Sequence, residues 1–357
     1  MVKMRQIERR KLDHIEVALN EDVASANNHW DDVKLIHCSL PEIDLEEVDT
    51  SCVLFGRKLS FPLIVTAITG GYPNAVKINR NLAEACAELQ IGLGIGSQRA
   101  GVQHGDDGSY GVLKDHDIPL RIGNLGAPQL IEQGTKAKFH EDDIKTAMEM
   151  IDAHLLAIHL NFLQEIVQPE GDTHARGCLD AMRDAAKRYP LIAKETGAGI
   201  SRDIAVRLKG IGMRGLDVSG TGGTSFSAIE RHRAQKVGDA HCAALGRTFD
   251  DWGIPAPVAT VWANVGIPII ASGGINDGLQ AAKGMVLGAS CAGAAMALLP
   301  EAMESAEKVM EKLRIMQSEF RAAMFLIGAK KVSELAGKRY ILVGETKEWL
   351  SQLKAEG

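Results

Sequence analysis

The sequence predicts an α/β fold, a TIM (β/α)₈ barrel with an N-terminal extension and C-terminal helices. Three observations lead there. From about residue 61 onward, eight short apolar runs alternate with amphipathic segments. Each run is bounded by Gly, Pro or polar residues, as parallel strands buried on both faces should be. No GxGxxG opens the first strand–helix turn, which argues against an open dinucleotide-binding sheet.

The eight runs are PLIVTAI at 62–68, IGLGIG at 91–96, PLRIGNL at 119–125 and LLAIHL at 155–160, followed by LIAKE at 191–195, GLDVS at 215–219, IPIIAS at 267–272 and SCAGAA at 290–295. Helix-like segments at 74–89, 142–153 and 277–287 lie between several of them. Eight such units in series favour a closed barrel over a doubly wound sheet. Residues 1–60 form the extension and begin with a charged, helix-like stretch. The connection at 220–266 is long for a strand–helix link and is expected to carry extra helices and function. Residues 301–357 read as a helical tail, with GKRYILVG as an extra loop or strand. No linker rich in Gly, Ser or Pro divides the chain, so 61–300 is the core of a single domain.

Composition narrows the function. Hydrophobic residues at 45% suffice for a large core, and 4% aromatics against 37 glycines imply a core of small and branched aliphatics. The net charge of −6, without long charged runs, gives no reason to expect nucleic acid or a membrane as partner. The six cysteines form no CxxC pair and read as core residues of a reducing compartment. The charged start MVKMRQIERRKLDH lacks the apolar stretch of a signal peptide, and no run of about 18 apolar residues exists to span a bilayer. A cytoplasmic location follows as the expectation.

Barrel enzymes build their sites at the C-terminal ends of the strands, and here the polar residues collect there. Strand one ends in Ala67, Ile68, Thr69 and two glycines, strand two in Ser97-Gln98-Arg99, and strand three in Asn124. Strand four ends in His159 and Asn161, with Gln164, Glu165 and Gln168 just beyond. The turns SGTGGTS, SGGIND and AGAAMA after strands six to eight suit a phosphate, through converging backbone N–H groups, a following helix N-terminus, and the Ser219 and Thr224 hydroxyls. Lys194, a cation in an apolar strand, fits beside the N1–C2 edge of a flavin or in an ion pair with Glu195. Glu165 offers a hard oxygen to Mg²⁺. Gln164 and His159 are candidates to donate, relay or position protons. Arg9-Arg10-Lys11 is either a solvated helix face or a clamp on an anionic substrate.

The segments RRKLDH, TAITGG, GIGSQR, GNLGAPQ, HLNFLQEIVQPEGD, KETGAGIS, SGTGGTSFSAIE and SGGINDG closely resemble those of type 2 isopentenyl-diphosphate isomerases, over about residues 7–330. The pattern HLNxxQExxQPEG is specific, whereas the glycine turns occur in many flavin barrels. The resemblance implies a barrel that binds FMN at its mouth and assembles as a homotetramer or homo-octamer. It implies that Ala67, Ile68, Thr69, Ser97, Asn124 and Lys194 contact the ring and ribityl chain. Ser219, Thr224, Gly274, Ile275, Asn276, Ala295 and Met296 would hold the phosphate end. Arg10, Lys11, Ser97, Gln98, Arg99, Asn161 and Gln164 would bind substrate, with Gln164 and His159 in the catalytic pocket and Glu165 on Mg²⁺.

The implied activity is interconversion of isopentenyl and dimethylallyl diphosphate in isoprenoid biosynthesis. Reduced FMN would mediate protonation and deprotonation, and NAD(P)H would serve only to reduce it. Two positions depart from the family pattern. Asn276 stands where an Arg is usual, and Phe226 fills a place more often held by Trp, while Glu230 matches. The main alternative is an FMN-dependent 2-hydroxy-acid oxidase or dehydrogenase, but the SNHGG-type turn that supplies its His base reads SGTGG here. A nucleotide dehydrogenase of the inosinate type would need a loop cysteine, and 219–235 contains none. A phosphate-binding barrel without catalysis is the remaining alternative.

Overall fold

A computed structural model describes residues 6–105 and 108–352. The outermost parts of the extension and tail, 1–5 and 353–357, lie outside the described residues. Eight parallel strands close into a barrel, the eighth pairing with the first. In chain order they are Leu63–Val65, Gly92–Gly94, Leu120–Gly126, Leu155–Leu160, Leu191–Glu195, Leu216–Asp217, Ile269–Ala271 and Cys291–Ala294. Each lies within or at the edge of its predicted run, and most are shorter, because the run ends turn into the mouth loops. The sixth stops at Asp217 as the backbone turns, and Ser219 adopts a left-handed φ of 50°.

Alternation along the strands sorts the core into two layers. Ile64, Leu120, Ile122, Leu155, Ala157, Ile192, Ile270 and Cys291 fill the barrel together with Leu54 and Leu59. The last two belong to a hairpin, Cys52–Leu54 with Arg57–Leu59, whose Phe55-Gly56 turn has positive φ at both residues. Outward-facing Leu63, Val65 and Leu93 join the cluster that includes the helices Ala75–Glu88, Gly278–Val286 and Ala306–Leu326. Two of these helices meet closely at Gly278, where a Cβ would stand 1.9 Å from the Met316 carbonyl oxygen.

The long connection carries three helices, Phe226–Val237, Ala240–Thr248 and Ala256–Trp262. The first helix, Gln6–Asn20, docks on it through Val17 against Ala228 and Ile229. That packing brings the basic end of the extension over the barrel mouth. The GKRYILVG segment forms a strand, Tyr340–Leu342, antiparallel to Val33–Leu35 of the extension. Among the described residues, no helix is long and apolar enough to cross a membrane.

Candidate active site

A cavity of about 540 Å³ opens at the C-terminal end of the barrel, a volume typical of cofactor and substrate pockets. Every candidate residue named above lines it except two. Arg9 is exposed. Gln98 is fully buried, and its side chain donates to the Ala147 carbonyl and accepts the Asn124 N–H, each at 2.8 Å. Those bonds tie strand ends together and turn the side chain away from the cavity, so the expectation of substrate contact by this side chain is corrected.

Lys194 projects into the cavity wall and pairs with Asp217, 2.7 Å away, not with Glu195. The reason is pleating. Neighbours on one strand face opposite sides, whereas Asp217 lies beside Lys194 in register on the next strand. Glu195 instead accepts the N–H groups of Gly197, Ala198 and Gly199 at 2.6–2.7 Å. The Asp217 carboxylate also accepts the Ser272 hydroxyl at 2.5 Å, and Ser272 accepts the Ser219 N–H at 3.1 Å. One polar chain thus joins the ends of strands five, six and seven.

His159 sits beside Lys194 in register, and its Nδ1 lies 2.7 Å from Asn124 Oδ1. An amide oxygen only accepts, so Nδ1 carries the proton and Nε2 presents a lone pair. Burial, with Lys194 and Lys11 nearby, lowers the His159 pKa to about 3. With the cavity free of ligand, His159 is therefore neutral near neutral pH and presents Nε2 as an acceptor.

One end of the cavity is cationic. Arg10, Lys11 and Arg99 converge there, and the Nε groups of both arginines have no partner. Arg99 is steadied by Asp172 at 2.7 Å. Lys11 donates to the carbonyls of Gly70 and Ser97 and to the Tyr110 hydroxyl. Burial, reinforced by Arg10 and Arg99, lowers its pKa to about 7.

Glu165 is buried and accepts Asn161 Nδ2 at 2.8 Å and the Asp172 N–H at 2.7 Å. Burial raises its pKa against those bonds and Arg10. The buried Asn161 Oδ1 beside it has no partner. Among the described residues, no group of three or more His, Cys, Asp or Glu is placed to hold a metal ion by itself. The protein thus offers a cation one carboxylate and a nearby amide oxygen, an arrangement that suits Mg²⁺ only if a ligand's phosphates complete the shell.

Glu230, wholly buried, joins the first helix to the barrel. It accepts His14 and Gln164, each at 2.8 Å, and binds Arg233. Burial alone would raise its pKa, but His14, Arg233 and Gln164 outweigh that and hold it at about 2. With its amide oriented to satisfy both neighbours, Gln168 donates to Glu230 and accepts from Arg10.

The sequence reasoning missed His14, Tyr110, Asp172 and Asp217 as parts of this site. His14 had a signal, four residues after Arg10 on one helix face. Asp217 had one as the lone acid in an apolar strand next to that of Lys194. Asp172 closes the HLNFLQEIVQPEGD segment, which was a signal, whereas Tyr110 arrives from a turn and had none.

The phosphate end fits FMN. A Cβ at Gly223 would stand 2.5 Å from Gly274 N, and one at Gly273 2.6 Å from the Gly220 carbonyl oxygen, so the two turns meet backbone to backbone. The N–H groups of Thr224, Gly274 and Ile275 have no acceptor among the described residues. Converging amides at one end and a lysine at the wall are the donors a flavin mononucleotide requires.

This barrel and site define an FMN-binding class. Residues 135–342 match the FMN-dependent dehydrogenase family. The fold is shared with a mandelate oxidase (TM-score 0.62, 16% identity, covering 95% of this chain and 99% of that one) and with the flavin-binding domain of baker's yeast flavocytochrome b2 (TM-score 0.66, 16% identity, 90% and 81%). At that identity the likeness is one of fold alone. The isopentenyl-diphosphate delta-isomerases of Thermoplasma acidophilum and Archaeoglobus fulgidus are 43% and 42% identical to the chain, over 96% of it and 99% and 98% of their own lengths. That of Methanothrix thermoacetophila is 43% identical, over 96% of both. The chain belongs to the isopentenyl-diphosphate delta-isomerase family.

Proposed function

We propose that the protein interconverts isopentenyl and dimethylallyl diphosphate with FMN in the barrel mouth and Mg²⁺ on the substrate. The observation that carries the substrate assignment is the second anion-binding region, Arg10, Lys11 and Arg99, in the same cavity as the glycine turns. A cofactor phosphate and a substrate diphosphate each have a cationic or amide-lined seat there.

When bound and reduced, FMN supplies an electron-rich ring and an acid–base nitrogen for moving the alkene proton. The chain's own residues do the rest. Lys194, fixed by Asp217, places positive charge at the ring side of the cavity. Ala67, Ile68, Thr69, Ser97 and Asn124 line that side, while Ser219, Thr224, Gly274, Ile275, Asn276, Ala295 and Met296 line the phosphate side. Arg10, Lys11 and Arg99 neutralise the diphosphate, and Glu165 holds Mg²⁺ against it. Gln164, held by Glu230, and Asn161 orient the substrate. His159, neutral, accepts a hydrogen bond. The oxidase alternative has less support, since the SGTGG turn carries no imidazole.

NAD(P)H is the proposed reductant, and the proposed location is cytoplasmic. A homotetramer or homo-octamer draws support from exposed apolar side chains such as Val53, Val237 and Trp252. The test is anaerobic. Protein with FMN, Mg²⁺ and NADPH or dithionite receives isopentenyl diphosphate, and acid-labile product is followed. Product that forms only with reduced flavin is expected. Equal turnover with oxidised flavin would sink the mechanism, and no turnover with bound, reduced flavin would sink the function.

A further inference from the structure

Residues 23–30 cross the phosphate end of the cavity as a strap, and their bonds fall on the two glycine turns. The Ser25 N–H donates to the Gly223 carbonyl at 2.7 Å, and the Val23 carbonyl accepts the Ser225 N–H at 2.8 Å. On the seventh-strand turn, the Asn28 side-chain amide donates to the Gly274 carbonyl and the Trp30 indole N–H to the Gly273 carbonyl, both at 2.8 Å. The Asn28 amide is oriented by its own oxygen, which accepts the Trp30 N–H at 3.1 Å.

In a trans peptide the carbonyl and the following N–H point in opposite directions. Drawing the carbonyls of Gly223, Gly273 and Gly274 toward the strap therefore turns the N–H groups of Thr224, Gly274 and Ile275 away from it. All three of these amides are without an acceptor among the described residues, as are those of Gly222, Gly223 and Gly273 in the same turns. Gly273 and Gly274 have φ of 81° and 84°, and glycines in succession do not fix the peptide plane between them. An outside tie is needed.

At the helix beyond the seventh-strand turn, three of the leading amides are already taken by side chains. Asp277 accepts the Gln280 N–H, Glu319 the Gly278 N–H, and Gln280 Oε1 the Asn276 N–H, at 2.7–2.8 Å. Asn276 also brings no charge. More of the burden then falls on the turn amides whose direction the strap sets.

We infer that Asn28 and Trp30 are positioning residues for the cofactor phosphate, acting through the two glycine carbonyls without a charge of their own. The inference rests on the FMN assignment above. It predicts an effect that distinguishes FMN from riboflavin, which shares the ring and ribityl chain but lacks the phosphate.

The test is equilibrium binding of both flavins to the full chain, by quenching of flavin fluorescence, for the wild type, Asn28→Ser and Trp30→Phe. Asn28→Ser keeps a side-chain oxygen able to accept the Trp30 N–H, removes the amide that donates to the Gly274 carbonyl, and adds no charge. Trp30→Phe removes the indole N–H and keeps an aromatic ring. FMN affinity should fall about tenfold in each, as for one lost hydrogen bond, with riboflavin affinity within about twofold of the wild type. The phosphorus resonance of bound FMN should shift in both. Equal weakening toward both flavins, or unchanged FMN affinity, overturns the inference while leaving the FMN assignment standing. Failure of the wild type to bind FMN removes the assignment, and the inference with it.

Discussion

Lys11 is the group through which pH should act on substrate binding. Its ammonium is withdrawn from water and faces Arg10 and Arg99, which brings its pKa to about 7 from the ordinary 10.5. A diphosphate arriving beside it favours the charged form. At pH 8 roughly nine in ten ligand-free molecules then carry neutral Lys11, and nearly all ligand-bound ones carry the cation. Binding should take up about 0.9 proton at pH 8 and about half a proton at pH 7. Apparent affinity should fall about tenfold per unit between pH 8 and 10. The ligand's own last phosphate proton, with a pKa of roughly 6, is already gone at pH 8 and does not obscure the count. Titration calorimetry with isopentenyl diphosphate, in buffers of different ionisation heat, reads the uptake as a slope. A zero slope at pH 8, or the same slope in Lys11→Arg, refutes the reasoning. The same shift has a signature without ligand. Between about pH 7 and 10.5 the unfolded chain holds a proton that the folded chain has lost, so stability should rise with pH across that window.

Other substitutions follow from the same geometry. Glu165→Ala should cut Mg²⁺-dependent turnover at least about a hundredfold and leave FMN affinity unchanged, and a parallel loss of FMN binding would contradict the metal role. Lys194→Met leaves Asp217 buried without its cation and should destabilise the ligand-free protein by about 3–5 kcal/mol in urea unfolding, part of which Lys194→Met/Asp217→Asn should restore. Glu230, with its pKa held at about 2 against an ordinary 4.5, contributes stability above pH 4.5 that is lost as pH falls toward 2. Glu230→Gln should therefore flatten the decline of Tm with acid in that window, and an unchanged decline would count against the ion pairs that define this site.

The barrel was legible because its strands are buried on both faces, so each reads as an apolar run closed by Gly, Pro or a polar residue. The residues along the cavity were legible for a related reason, since mouth positions are the first polar residues after each run. Gln98 shows where that rule fails. Position at a strand end does not say whether a side chain turns to the cavity or back to the backbone, and a buried amide with two unmet backbone groups nearby turns back. The Lys194 partner was misjudged because sequence adjacency hides the pleat. The hairpin plug, the strap at 23–30 and the strand at 340–342 depend on contacts distant in sequence, which no local periodicity encodes.

The pairing of Val33–Leu35 with Tyr340–Leu342 has a consequence for how the protein is made. It anchors the chain just past the strap, reinforced by Asp32, which accepts the Thr346 N–H at 3.0 Å. Its halves are about three hundred residues apart, so their meeting closes one of the longest loops in the molecule. A ribosome adding about 5–20 residues per second finishes the eighth barrel strand several seconds before residue 340 is made. Through that interval the first half of the clamp exists without the second, and the glycine turns it braces are free to wander. Cofactor capture should thus be a late event in biogenesis. A nascent chain arrested before residue 340 should hold its flavin loosely even though every barrel strand is already in place.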